Sequence, residues 1–348
     1  MPTNDGRKHL NLIAPMGDFT FGRLVADSFE VAGVEVHAWD YRRDVNPSPS
    51  LFDRAAPTLA LRGECVDIIS PVLDWLSGPR FLWYAEDLAK DDGVEFLRVV
   101  FSYDEIWIHC PSDFQQGKFL DMCPEKRVSV VPTLYADQSI WKPSEWNIDK
   151  GQPIQSDMCE IMHFGSLTPR REAMVAGIKT HDRHYQAKGE EAAGVYTLGL
   201  QETSTDTIER SGYSLYQYLN VNHHFLARAV NRAKVVVNLH AWSDVNLETR
   251  IAEVMSCGAL LVSEALPGMD EIVGLVRHDP VLIWVCPAGD AGNMVEMIDA
   301  LIENNWQIRS ERRDIIAGYA KDNFSHLRIA QDIGPKIFGK DEWADGHR

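Results

Sequence analysis

The residues best spaced for chemistry lie between Lys234 and Val273, in the stretch KVVVNLHAWSDVNLETRIAEVMSCGALLVSEALPGMDEIV. A strand is expected to end at His240, a polar turn follows, and Asn246 has the side chain of a good helix N-cap. From there Asn246, Arg250, Glu253 and Cys257 are spaced by four, three and four residues, which sets them on one helix face. Leu247, Ile251, Val254 and Met255 form an apolar arc beside that face. The free N–H groups of a helix N-terminus suit a diphosphate. An ionised glutamate two turns further on only accepts hydrogen bonds, and so fits the two hydroxyls of a ribose. Spacing alone favours a blander alternative, an i,i+3 ion pair of Arg250 and Glu253 on a surface helix.

Other candidates sit at the ends of expected strands. Trp83-Tyr84-Ala85-Glu86-Asp87 closes one of them. A carboxylate there, Asp87 or Glu86, can act as general base on an acceptor hydroxyl, with a helix N-cap role for Asp87 as the alternative. His109 and His240 end two more strands, where a single histidine is more often a hydrogen-bonded structural residue. Gly17 and Gly22, with Phe19 between them, join the first strand to the first helix. Their spacing is not the dinucleotide fingerprint, and no lysine follows as in a P-loop. Glycine there lets the backbone approach a ligand, and a plain turn is the competing reading. No acidic pair of DxD form and no His/Cys/Asp cluster has metal-ligand spacing, so no metal is expected.

These residues must be held by something, and the pattern says what. Leu10–Pro15, Val34–Trp39, Val66–Ser70, Phe81–Ala85, Glu105–Cys110 and Arg127–Pro132 are expected strands, with helical patterns such as Phe21–Ala32 and Val94–Ser102 between them. Uninterrupted apolar strands separated by helices mark a parallel sheet covered on both faces. A polar stretch from Tyr135 to Asp157, with prolines at 143 and 153, interrupts the alternation as a linker would. It resumes with strands Glu160–Phe164, Gly194–Leu198, Lys234–His240, Ala259–Ser263 and Val281–Val285. The helices among them are expected around Arg171–Gln186, Leu215–Arg232 and Leu247–Ser256, then near Ala291–Asn304 and Ser310–Asp322. Ligands of such sheets bind beyond the carboxyl ends of the strands.

The bulk numbers agree with two domains. The chain has 348 residues, 45% hydrophobic and 24% charged, a soluble globular composition with room for two cores. A polar start without a signal-peptide core, and no apolar run of membrane length, predict a cytoplasmic protein without integral membrane contact. Six cysteines far apart, none in a CxxC pair, fit buried thiols in a reducing compartment. A net charge of −17 weighs against a nucleic-acid partner at long range, although a local basic groove can override it.

Ala252-Glu253-Val254-Met255-Ser256-Cys257-Gly258-Ala259-Leu260-Leu261-Val262 resembles the EAMACGxPVV segment of group-1 (family-four-like) glycosyltransferases. Asn246 to Glu253 is more similar to the N-L-R-x-F-E-A variant of CgeB-like (spore maturation protein) glycosyltransferases, and Pro267 to Val273 to the GGxxEIV element. Valine at 245 departs from the pattern, which places a second glutamate eight residues before Glu253. His163 to Glu172 looks like the family's vGRlxxxKg loop, whose basic residues neutralise a donor diphosphate. Ser166, after Gly165, takes the usual arginine position, so Arg170 or Arg171 would carry the charge.

The resemblance implies an α/β GT-B fold, two Rossmann-like doubly wound parallel-sheet domains facing a cleft. The expected bounds are 1–145 for the acceptor side and 146–320 for the nucleotide-sugar side, with a helical tail at 321–348 packing back on the first domain. It implies transfer of a sugar from a nucleotide-diphosphate sugar, with a UDP-sugar as the expected co-substrate and no cofactor or metal. Glu253 would bind the ribose, while Gly17, Phe19, His109 and His240 would line the acceptor side or cleft. The acceptor is expected to be a small molecule, glycan or protein. The alternatives are a modified DNA base (5-hydroxymethylpyrimidine, as in phage enzymes), a sugar-nucleotide epimerase, and a non-catalytic nucleotide-binding module.

Overall fold

The computed structural model describes residues 7–17, 20–44, 46–61, 66–84, 100–109, 121, 124–144, 161–164, 168–181, 195–198, 223–240, 249–265 and 281–345. The chain divides into two compact units, Met1–Tyr135 with Ser325–Arg348, and Ala136–Phe324.

The first unit is built on six strands: β1 (His9–Ile13), β2 (Glu35–Trp39), β3 (Thr58–Leu61), β4 (Arg80–Tyr84), β5 (Glu105–Ile108) and β6 (Arg127–Val130). They pair in the order β2-β1-β3-β4-β5-β6, all parallel. Its described helices are α1 (Phe21–Val31) and α2 (Val66–Trp75). The strands are apolar on both faces because both are covered. Leu10, Leu12, Phe81 and Trp83 share a core with Phe29 of α1 and with Ile329, Ile333, Ile337 and Trp343 near the end of the chain. Ile13, Leu82, Tyr84, Ile106 and Ile108 point into a second core with Ile69 and Leu73 of α2.

One expectation fails here. Val66–Ser70 is the start of α2, and the strand is Thr58–Leu61, which the sequence reading passed over. A short apolar run does not reveal its period. The stripe Ile69, Leu73 and Leu76, at helical spacing, is what buries the segment.

Among the described residues the second unit has five strands: β7 (Ile161–Phe164), β8 (Val195–Leu198), β9 (Val235–Asn238), β10 (Leu261–Glu264) and β11 (Trp284–Cys286). Their order is β11-β10-β9-β7-β8, again all parallel. With them lie α3 (Pro169–His181), α4 (His223–Arg232), α5 (Thr249–Ser256), α6 (Ala291–Glu303) and α7 (Asn305–Phe324). Helix α7 starts five residues before the expected Ser310. Two further helices, α8 (Ile329–Phe338) and α9 (Lys340–Asp345), carry the chain back onto the first sheet. In strand order the second sheet is doubly wound with its switch point between β7 and β9, the place where such sheets bind ligands.

Candidate functional site

At that switch point the strand ends carry an unusual set of polar side chains. His163 lies in β7 and Asn238 ends β9, while Leu239 and His240 follow it and Glu264 ends β10. All four polar residues among them are buried. Thr168 starts α3: its carbonyl accepts the Glu172 N–H at 2.9 Å and its hydroxyl the Arg171 N–H at 3.4 Å. This sets Arg170 and Arg171 in the first turn, where the helix dipole repels a cation. Both turn instead to acceptors on the neighbouring strands.

Arg170 grips Glu264 with both terminal nitrogens, at 2.9 Å to Oε2 and 2.7 Å to Oε1, and also donates to the His240 carbonyl at 3.0 Å. Glu264 further accepts the His240 N–H at 2.7 Å and the Gly289 N–H at 2.8 Å. Burial by itself raises the carboxyl's pKa, but the hydrogen bonds from Arg170, His240 and Gly289 outweigh it and hold it below the usual value. Arg171 is buried and donates from Nε to the Leu239 carbonyl at 2.8 Å.

Arg250, on α5, is also buried. Its guanidinium lies 5.2 Å from the centre of the Phe164 ring and donates to Asn238 Oδ1 at 3.0 Å. Asn238 in turn donates to the Ser263 hydroxyl at 3.1 Å, tying β9 to β10. Glu253, one turn further along α5, is partly exposed. Gly258 ends this helix at φ +66, with its N–H on the Met255 carbonyl at 2.8 Å.

His163 reports the field these groups make. Its pKa is pushed well below the usual histidine value, first by burial and then by Arg250 and Arg171. The ring is therefore neutral, and Nδ1 lies 3.1 Å from the Val237 carbonyl, which fixes the proton there. That leaves Nε2 as a lone-pair acceptor, buried and making no hydrogen bond among the described residues. A neutral acceptor beside the Arg171 and Arg250 guanidinium groups suits a ligand that brings negative oxygens and hydroxyls together.

The site thus gathers Arg170, Arg171, His240 and Arg250, with Glu253 on the same helix as Arg250. Gly165, Ser166 and Asn246 lie outside the described residues. In the first unit Phe19, Glu86 and Asp87 also lie outside them. His109 is buried at the end of β5, with Nδ1 3.3 Å from the Tyr84 carbonyl. Gly17 follows β1, and its carbonyl accepts from the Thr20 N–H at 3.1 Å and hydroxyl at 2.8 Å. Gly22 has a packing reason, since a Cβ there would stand 2.4 Å from the Pro15 carbonyl oxygen.

Sequence reasoning missed Glu264, Asn238 and His163 as site residues. A glutamate closing the apolar run LLVSE was the available signal for the first. Spacing could not supply its partner, because Arg170 is 94 residues away.

No protein-family model and no curated protein matches the chain in sequence. Solved structures do match in shape over nearly its whole length. The sucrose-phosphate synthase of Thermosynechococcus elongatus has a TM-score of 0.67 at 12% identity, covering 97% of this chain and 100% of that one. An alpha-glucosyltransferase in complex with UDP-glucose and DNA containing an abasic site has a TM-score of 0.68 at 12% identity, covering 96% and 100%. The α,α-trehalose 6-phosphate synthase of Burkholderia multivorans has 0.64 at 9% identity, covering 97% and 98%. These neighbours are GT-B glycosyltransferases, and the chain has the GT-B fold of two Rossmann-like domains. Among the described residues no helix is long and apolar enough to cross a membrane.

Proposed function

We propose that this protein is a glycosyltransferase that takes a sugar from a nucleotide-diphosphate sugar, with UDP-sugar as donor class, and passes it to an acceptor hydroxyl. The observation that carries the reading is the convergence of Arg171 and Arg250 on a neutral His163 at the β7/β9 switch point, with Arg170 held by Glu264 on the next strand. Similarity to structures that hold UDP or UDP-glucose supports it. Arg171 and Arg250 face the diphosphate and stabilise the charge that grows on it as the sugar leaves. Arg170 is the positioning residue, fixed by Glu264. Glu253 accepts from the ribose hydroxyls, and His163 Nε2 from a sugar or ribose hydroxyl. Asp87 or Glu86 of the first unit is the proposed general base, and the reaction needs no metal on this reading.

An acceptor on DNA is a second reading, supported by the likeness to the alpha-glucosyltransferase and opposed by the net charge of −17. Binding to DNA that falls steeply with salt would favour it. The test of the class is nucleotide release. UDP-, GDP- and ADP-sugars are incubated with the full chain and pooled acceptors, and free nucleoside diphosphate is measured. Release of UDP is expected. Sugar interconversion without UDP would point to an epimerase, and no turnover with any donor would leave only a nucleotide-binding module.

A further inference from the structure

The first sheet carries a second cluster at its other end, where the strands begin. His9 opens β1 and Glu35 opens β2, and the two are paired in register, as are Asn11 and His37. Alternation therefore puts His9, Asn11, Glu35 and His37 on one face of the sheet. His9 Nδ1 and His37 Nε2 approach to 3.1 Å, with ring centres 5.4 Å apart and ring planes nearly parallel. The Glu35 carboxylate lies 4.0 Å from His9 Nδ1 and 3.9 Å from His37 Nε2. Asp53 Oδ2, from the loop before β3, is 4.0 Å from the same His9 nitrogen.

We infer that His9, His37 and Glu35, with Asp53 beside His9, form a binding site for a divalent transition-metal ion of the zinc type. Two imidazole nitrogens 3.1 Å apart can share one ion. With metal–nitrogen bonds of about 2.05 Å that separation corresponds to an angle of about 98°, close to tetrahedral. Binding releases the proton between the two rings to solvent, and the rings turn so that both lone pairs meet the ion off the line joining the nitrogens. The Glu35 carboxylate, with Asp53 nearby, offsets its charge, and imidazole favours zinc-like ions over calcium or magnesium.

Asp53, which faces His9, is itself held in place. Asn11, fully buried, donates from Nδ2 to the Asp53 carbonyl at 2.7 Å and accepts the Asp53 N–H on Oδ1 at 3.1 Å. Asp53 Oδ1 accepts the Ala55 N–H at 3.0 Å, which turns Oδ2 towards His9. Outer hydrogen bonds of this kind hold ligands in place. The Glu35 carboxylate needs to close by roughly an ångström to reach bonding distance. Glu35 and Asp53 side chains are 43% and 38% exposed, so they are able to move. The site joins the starts of β1 and β2 and lies at the opposite end of this sheet from the strands' carboxyl ends. Its role is to fasten the sheet edge rather than to take part in sugar transfer.

The experiment titrates the chelator-treated full chain with Zn²⁺ by calorimetry and with Co²⁺ by visible absorption. Melting temperature and circular dichroism are recorded alongside. One ion per chain is expected, with the tetrahedral Co²⁺ spectrum and a melting point raised by about 2 °C or more. His9→Gln and His37→Gln, each folded by circular dichroism, should weaken Zn²⁺ binding at least tenfold. If either variant does not fold, Glu35→Gln on the exposed edge should give a several-fold weakening. Absence of one-site binding in the wild type, or undiminished affinity in the folded variants, would overturn the assignment.

Discussion

Replacing Glu264 by glutamine should destabilise the second unit by an amount that follows from four hydrogen bonds. Each carboxylate oxygen accepts one N–H from Arg170 and one from the backbone, His240 on Oε2 and Gly289 on Oε1. Whichever oxygen becomes the amide nitrogen, it then faces two donors. One bond from Arg170 and one from a backbone N–H are lost, each to an ionised acceptor and each about 1.5–3 kcal/mol. The Arg170 side chain is 25% exposed, so water takes its freed N–H and the total falls below the sum of the two, at about 2.5 kcal/mol. Hydrogen exchange of peptides from β9 and β10 reads this unit alone. Where exchange follows the opening equilibrium, about 70-fold faster exchange corresponds to that figure. A change of less than about threefold, or 0.6 kcal/mol, would refute the four-bond account.

The same group sets a pH dependence. Its folded pKa lies below the ordinary 4.5, so its contribution is complete above that value and is lost as pH falls through the folded one. Wild type and Glu264→Gln should therefore converge on acidification. A gap unchanged down to about pH 3 would count against the depressed carboxyl.

Three further outcomes are expected. Arg250→Lys keeps the charge but loses the flat guanidinium over Phe164, and should weaken UDP binding about tenfold in a fluorescence titration; unchanged affinity would take Arg250 out of the proposed site. Gly258→Ala forces a side chain into φ +66 with a Cβ 2.6 Å from the Arg313 backbone oxygen, and should cost about 2 kcal/mol in urea unfolding; a neutral result would contradict the close approach. Burial, followed by Glu264, pushes the Cys286 thiol up to about 12, and burial, followed by Glu253, raises Cys257 further. Both should resist iodoacetamide at about pH 8 in the folded chain and react after unfolding, as read by site-resolved mass spectrometry; alkylation of either in the folded protein would contradict this.

Much of this fold was legible because its strands are buried on both faces, so runs such as Val235-Val236-Val237 stand out without alternation. The end of α5 was legible too, since Ser256-Cys257-Gly258 carries the glycine that a left-handed helix stop demands. Val66–Ser70 was not, because five residues of apolar and polar type fit either period until a neighbouring core selects one. The arginines were legible as charge near a helix start, but their geometry was not. It depends on Glu264 and Asn238, brought in by strand pairing from distant positions. The His9, Glu35 and His37 cluster was hidden for the same reason. Its register lies across two strands, where metal-ligand spacing along the chain gives no sign of it.

The central claim is that the second unit holds the donor nucleotide, with Glu253 on its ribose. Calorimetric titration of UDP into the full chain, wild type against Glu253→Ala, tests it most directly. One site per chain is expected in the wild type and at least a tenfold loss of affinity in the variant, with circular dichroism unchanged. No binding of UDP to the wild type, or equal binding by a folded Glu253→Ala, would contradict it.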